Sequence, residues 1–271
     1  MIDRVNDWLL DLPTTASVLV IVGGVVLIAC AGHVAVHLLV PHGLRRSHNE
    51  LMSLTFGAVS KIYAVLLAFI AVAVWDDFKH AETLVQSEAD LVGNLYRGTA
   101  GLPAEAADRI RHDLFVYAEG VIADEWPALM MGGQEDAAGW QLLDRVHLAL
   151  SGLHGIDPVT AIAAGEMMRN LNALYDARRG RYRAAEAGLP PILWWNVVAG
   201  AALIVLFGYL LGPERFDMHL ATTAAIAASI ALVLALIILL DDPFRGANRV
   251  SDAPFVRLVR TVERMEFPGG G

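Results

Sequence analysis

Lys61 stands inside the apolar stretch Thr55–Trp75, where an ammonium group is costly unless it snorkels, pairs or faces water. On a helix, Gly57, Lys61, Ala64, Ala68, Ala71 and Trp75 share one face, while Phe56, Ser60, Tyr63, Leu67, Ile70 and Val74 share the adjacent one. Three uses of this helix are open. Its small residues can pack against another helix, Lys61 can snorkel to the nearer membrane surface, or copies of Lys61 can ring an oligomeric pore and draw anions. The candidate lining residues on the two faces are therefore Phe56, Ser60, Lys61, Tyr63, Leu67 and Ile70.

Three other groups carry chemistry. His33 and His37 lie one helical turn apart, with His42, His48 and His219 expected on the same side. Two imidazoles lacking a third ligand in the same element make a poor metal site; lipid headgroups, water or a pH-sensitive contact suit them better. Asp241 and Asp242 close a long apolar stretch, where carboxylates oppose the helix dipole. They need a partner, either an arginine such as Arg245 or Arg249 or a hard cation, so both are candidate ion or gating residues. The run Arg178-Arg179-Gly180-Arg181-Tyr182-Arg183, just before Leu189-Pro190-Pro191, reads as a headgroup anchor. Phe255, Leu258, Val259, Val262 and Met265, opposed by Arg257, Arg260 and Arg264, form a short amphipathic helix suited to a membrane surface or a neighbouring subunit. The chain has no Walker loop, G-x-G-x-x-G or H-E-x-x-H, and nothing in it suggests an enzyme.

The elements that position these residues follow from hydropathy. Of 271 residues 56% are hydrophobic and 18% charged, with a mean hydropathy of +0.50; soluble domains are more charged and less apolar. Thr15–Val40, Thr55–Trp75, Pro191–Gly212 and Met218–Leu240 are each long enough to cross a bilayer. Pro41-His42-Gly43, Gly212-Pro213 and Asp242-Pro243 punctuate their ends. The first stretch is not a secretory signal, because Asp3, Asp7 and Asp11 precede it and its apolar run is too long. Cys30 follows Leu27-Ile28-Ala29 as in a lipoprotein box, yet the apolar helix continues past it. Between spans two and three lie about 115 polar residues with helical periodicity: Ile110, Leu114, Tyr117 and Val121 form one stripe, and Met168, Leu171 and Tyr175 another. A third stripe, Phe78, Val85, Ala89, Val92 and Tyr96, extends span two as far as Gly98-Thr99-Ala100-Gly101.

The expected fold class is thus an all-α integral membrane protein, four transmembrane helices with a helical cytoplasmic domain inserted between the second and third spans. The segments are an N-terminal stretch 1–14, a helix pair 15–75, the helical domain 76–190, a second pair 191–240 and a tail 241–271. With four spans, both termini and the domain share a side. Arg4, Lys79, Arg178, Arg179, Arg181, Arg183, Arg245, Arg249, Arg257 and Arg260 outnumber Arg45, Arg46 and Arg215 opposite, which makes that side the cytoplasm. Residues 76–190 hold 18 Asp and Glu against 10 Lys and Arg, a net of −8 within the chain's −9. Such acidity argues against nucleic-acid binding.

Several local patterns stand in a fixed order: His48-Asn49-Glu50, Tyr63-Ala64-Val65-Leu66-Leu67-Ala68-Phe69 with Trp75, Leu95-Tyr96-Arg97 before Gly101-Leu102-Pro103, Tyr117-Ala118, Glu125-Trp126, Leu189-Pro190 followed by Trp194, and Asp242-Pro243-Phe244 with Gly246 and Val250-Ser251. Together they resemble the bacterial bestrophin-like domain family. The resemblance runs from about His48 to Phe255. It implies likeness to bestrophins: homopentameric ion channels with four spans per subunit, cytoplasmic termini and a pore lined by the second span. By that resemblance the partners are the lipid bilayer of the bacterial inner membrane, further copies of the chain and small inorganic ions, with no cofactor or bound metal. Animal bestrophins carry a calcium clasp after Asn-Pro-Phe and an acidic run; here Asp242 precedes Pro243-Phe244 and Arg245-Gly246 follows, which speaks against calcium gating. A Lys61 ring favours anions and an acidic vestibule favours cations. The balance tips slightly to anions, because a charge in a narrow span acts at lower dielectric. The alternative is a membrane-anchored interaction or scaffold protein, a sealed bundle whose acidic cytoplasmic helical domain recruits a partner.

Overall fold

A computed structural model describes residues 12–39, 49–133, 137–153, 157–211 and 215–266, with the backbone alone at 49–51. Arg4, Pro41-His42-Gly43, Arg45, Arg46, His48 and the Gly212-Pro213 turn lie outside the described residues. The chain divides into two compact units: the first is Met1–Asp76, Gly188–Asp242 and Gly246–Asn248, and the second Asp77–Ala187, Pro243–Arg245 and Arg249–Gly271. All regular structure among the described residues is helical.

The first unit holds α1 (Thr14–Leu39), the beginning of α2 (Asn49–Gly98), α7 (Pro191–Leu210) and α8 (Phe216–Leu240). Among the described residues four helices are long and apolar enough to cross a membrane. In this unit α1 packs most extensively on α8. Tyr63, Leu67, Ile70 and Val74 of α2 meet Val197, Ile204, Ile230 and Ile237 of α7 and α8 in a common core. Leu19, Ile28, Leu38 and Trp195 point outward and are more than two-thirds exposed, as expected of side chains that lipid solvates in place of water.

The second unit holds the rest of α2, a 3₁₀ turn at Thr99–Gly101, α3 (Ala104–Gly120), a π turn at Val121–Glu125, α4 (Trp126–Met130), α5 (Ala137–Ser151), α6 (Pro158–Glu186) and α9 (Ala253–Glu266). Ile110, Leu114, Tyr117 and Val121 are buried as their spacing predicts. On α6 the buried stripe is offset from the expected one. It runs Met167, Leu171, Leu174, Arg178 and Arg181, while Met168 and Tyr175 sit at its margin. Asp157 caps α6, accepting from the Val159 and Thr160 amides, which stabilises an otherwise unsatisfied helix start. The amphipathic helix α9 buries Phe255 and Val262 and packs on α3 of its own unit. Phe255 and Val262 thus serve an internal contact, while Met265 at the end of the stripe stays exposed.

Candidate functional site

The span portion of α2 separates the two candidate faces. Tyr63, Leu67 and Ile70 are buried in the core of the first unit, and Phe56 and Ser60 are partly buried beside them. The Tyr63 hydroxyl donates to the Val197 carbonyl of α7 at 2.8 Å, fixing the rotation of α2 about its axis. Lys61 therefore emerges on the opposite side and is exposed. Leu54, Val65, Phe69, Val72 and Asp76 are exposed with it. Lys61 and Asp76 form no ion pair among the described residues. An open groove of about 610 Å³ runs between α2 and α8. Ser60, Ala64 and Ala68 line one side of it, and Thr222, Ala225 and Ser229 the other; such small side chains let another helix approach closely.

At another end of the first unit α1, α7 and α8 converge. His33 is fully buried, with its ring 4.1 Å from that of His219 and edge-on to it, and 5.8 Å from that of Tyr209. His219 Nε2 lies 2.9 Å from the Gly208 carbonyl, and the Tyr209 hydroxyl donates to the Ala29 carbonyl at 2.6 Å. His33 is thus an interior side chain, held away from headgroups and bulk water. The i, i+4 spacing pairs it with His37, whereas the fold pairs it with His219. Among the described residues no three His, Cys, Asp or Glu side chains gather as a metal site.

Asp241 caps the start of the third span. Its Oδ1 accepts from the Leu189 amide at 2.7 Å and its Oδ2 from the Trp194 indole at 3.3 Å. A carboxylate that opposes its own helix dipole is thereby satisfied by donors at the beginning of α7.

The second unit encloses a charge lattice that the sequence reading misplaces. Arg178 and Arg181 are fully buried, so they are not the headgroup anchor that their run suggests. Arg181 grips Glu88 of α2 with two bonds, Nε to Oε2 at 2.6 Å and Nη2 to Oε1 at 3.1 Å, and reaches Glu125 at 2.6 Å. Arg178 pairs with Glu125 at 2.8 Å and donates to the Tyr117 hydroxyl; that hydroxyl in turn donates to Glu88. Trp140, Tyr117 and Tyr182 rings surround the Arg178 guanidinium at 5.0 to 5.3 Å. Two carboxylates and two guanidiniums balance in a site from which water is excluded, the condition under which buried ions are tolerable. Burial pushes the Glu125 carboxyl up, but Arg181 and Arg178 outweigh it and hold the group below its usual range. Burial, reinforced by Glu88, raises the Tyr117 phenol well above its usual range.

A family model of the bestrophin-like domain matches residues 23–255. The chain belongs to the bestrophin-like domain family. No curated protein matches it. Among solved structures it is similar to two variants of a bacterial bestrophin homologue from Klebsiella pneumoniae, 16% and 19% identical, with TM-scores of 0.67 and 0.66. The alignments cover 90% and 92% of this chain and 98% of each homologue. A further crystal structure, described as a membrane protein, is 18% identical with a TM-score of 0.65, covering 92% of this chain and 97% of its own. These likenesses show a shared fold across nearly the whole length.

Within that bestrophin-like fold, the turn after Asp242 is built for packing. Phe244 is buried against Trp126, ring centroids 5.8 Å apart, and the Val250 amide closes the turn on the Pro243 carbonyl at 2.7 Å. Gly246 has a φ of 79°, a backbone state that glycine adopts without strain. Tyr117, Glu125 and Trp126, which carry part of the resemblance set out above, belong to or border the charge lattice. Each reads alone as an ordinary helix residue.

Proposed function

We propose that the chain is one subunit of a homo-oligomeric ion channel, pentameric like the bestrophins its family resembles, in the bacterial inner membrane. Small ions pass through a pore lined by the span portion of α2, with anions slightly favoured over cations. Both termini and the acidic helical unit lie on the cytoplasmic side, by the arginine and lysine asymmetry of the span ends.

The observation that carries this reading is the disposition of α2. The interior of the four-span bundle is filled by Tyr63, Leu67, Ile70, Val197, Ile204 and Ile230, so an ion path lies outside any single copy. The side of α2 turned away from that core bears the exposed Lys61, whose place within a span is explained if it faces a water-filled path between copies. The pore wall is accordingly the exposed side of α2 that carries Lys61, Val65, Phe69 and Val72, while Ala64 and Ala68 of the Lys61 candidate face line the groove beside α8. Phe56, Ser60, Tyr63, Leu67 and Ile70 hold α2 in register behind it. The groove of small residues between α2 and α8 gives a neighbouring copy a close approach.

Purified protein in a planar bilayer under a salt gradient is expected to carry current, with a reversal potential displaced towards that of the anion. Lys61→Glu is expected to move that potential towards the cation. Absence of current across voltage and pH, or a monomeric mass in detergent, overturns the channel; an unchanged potential in Lys61→Glu removes Lys61 from the pore.

A further inference from the structure

The exposed side of α2 carries opposite charges at its two ends. Lys61 and Asp76 are fifteen residues apart, which places them about 22 Å apart along the axis and within about 60° of one another around it. Between them Val65, Phe69 and Val72 are 56%, 72% and 57% exposed. All five residues belong to the first unit, and on α2 they lie away from the buried Tyr63, Leu67, Ile70 and Val74. The side therefore reads cation, apolar stretch, anion.

Given the α2-lined pore proposed above, on which this step rests, we infer that the channel is an electrical rectifier, with Lys61 and Asp76 as the residues that set its polarity. Repetition of the subunit about the pore axis turns each side chain into a ring. A ring of ammonium groups at one mouth enriches anions there, and a ring of carboxylates at the other enriches cations. The apolar stretch between contributes no counter-charge, so the two reservoirs stay separate. When the Asp76 side is made positive, the field drives cations in from the mouth where they are enriched. The same field drives anions in from the Lys61 mouth, so the pore fills with carriers. At the opposite polarity both species are drawn out towards the mouths that already hold them, and the middle is depleted. Since protein charge distributions reach several kT, and one kT changes a local ion concentration about threefold, current at equal and opposite voltages is expected to differ by about threefold or more. Neither ring alone has this effect to the same degree, because one charged mouth selects an ion without separating two reservoirs.

Full-length protein in a planar bilayer with the same salt on both sides gives the test. The chamber facing Asp76 is identified by one-sided protease cleavage of the Asp77–Ala187 unit. Wild-type current is expected to be larger when that chamber is positive. Lys61→Gln and Asp76→Asn are each expected to bring the ratio of opposite currents towards one. The charge exchange Lys61→Asp with Asp76→Lys is expected to invert it. A wild-type channel with a linear current–voltage relation overturns the rectifier and leaves the channel standing, as does a ratio that none of these substitutions alters. No current from wild-type protein overturns the channel and the rectifier with it.

Discussion

The ring edge of Tyr63 occupies the space that a Cβ at Gly200 would need, and its hydroxyl donates to the carbonyl of Val197, three residues before that glycine. The same arrangement recurs between Tyr209 and α1. A Cβ at Gly32 would lie 2.5 Å from the Tyr209 hydroxyl oxygen, and that hydroxyl donates to Ala29, again three residues before the glycine. In each case glycine opens one turn of helix so that a tyrosine from a neighbouring span can reach its backbone. Tyr63 ties α2 to α7, and Tyr209 ties α7 to α1. A span surface can bond in this way only where the side chain that normally shields its carbonyls is missing.

Replacing Gly200 by alanine is therefore expected to displace Tyr63 and lower stability by about 1–3 kcal/mol, the usual cost of overpacking. Tyr63→Phe keeps the ring and loses the hydroxyl, at a cost of about 1 kcal/mol. Thermal unfolding of detergent-solubilised protein checks both. A Gly200→Ala protein as stable as the parent would show that Tyr63 is not seated as described.

Arg181→Ala leaves Glu88 and Glu125 without their shared guanidinium in a site closed to water. Removing one partner from a buried ion pair typically costs about 3–5 kcal/mol. Pairing Arg181→Met with Glu88→Gln restores neutrality, because Glu125 and Arg178 still balance. That double variant is expected to recover part of the loss, which a double-mutant cycle of melting temperatures measures. Additive losses would mean that the residues are not coupled.

The same lattice shows where sequence reading succeeds and where it stops. Four spans, the extension of α2 to Gly98 and the stripe Ile110, Leu114, Tyr117 and Val121 are all legible, because apolar side chains mark their own burial. The α6 stripe is misread by one position for a physical reason. Its buried face continues as Arg178 and Arg181, and periodicity arguments count arginine as exposed. Their partners, Glu88 and Glu125, lie 93 and 56 residues from Arg181 in sequence, so no local spacing reveals them. Lys61 is conspicuous because nothing apolar explains it. Which side of α2 turns inward becomes clear only from Tyr63 and Gly200, a contact between residues 63 and 200 that leaves no periodic trace.

Glu125 sets the acid limb of stability. Its carboxyl is held below the usual value near 4.5 in the folded chain, so the unfolded chain binds the proton more readily. The stabilisation is complete above the unfolded value and is lost as pH falls through the lower folded one. Melting temperature is expected to stay level from pH 7 to about 5 and to fall below that. Glu125→Gln should be less stable at neutral pH and should show a shallower acid limb. An acid limb unchanged in Glu125→Gln would assign it to other carboxylates.

Asp241 distinguishes a structural carboxylate from a calcium ligand. Both of its oxygens already accept N–H donors, from Leu189 and Trp194, whereas calcium takes six to eight oxygen ligands at about 2.3–2.6 Å. Asp241→Ala strips the acceptor from a backbone amide and an indole, and is expected to cost about 1–3 kcal/mol through the donors it leaves unsatisfied. Asp241→Asn keeps one carbonyl oxygen for the Leu189 amide and should recover part of that loss. A calcium chelator is expected to leave both the melting temperature and the bilayer current of the parent protein unchanged, since the carboxylate is held by the start of the third span. If chelation lowers the parent's melting temperature and leaves that of Asp241→Asn unaltered, Asp241 is a cation ligand and the cap is secondary.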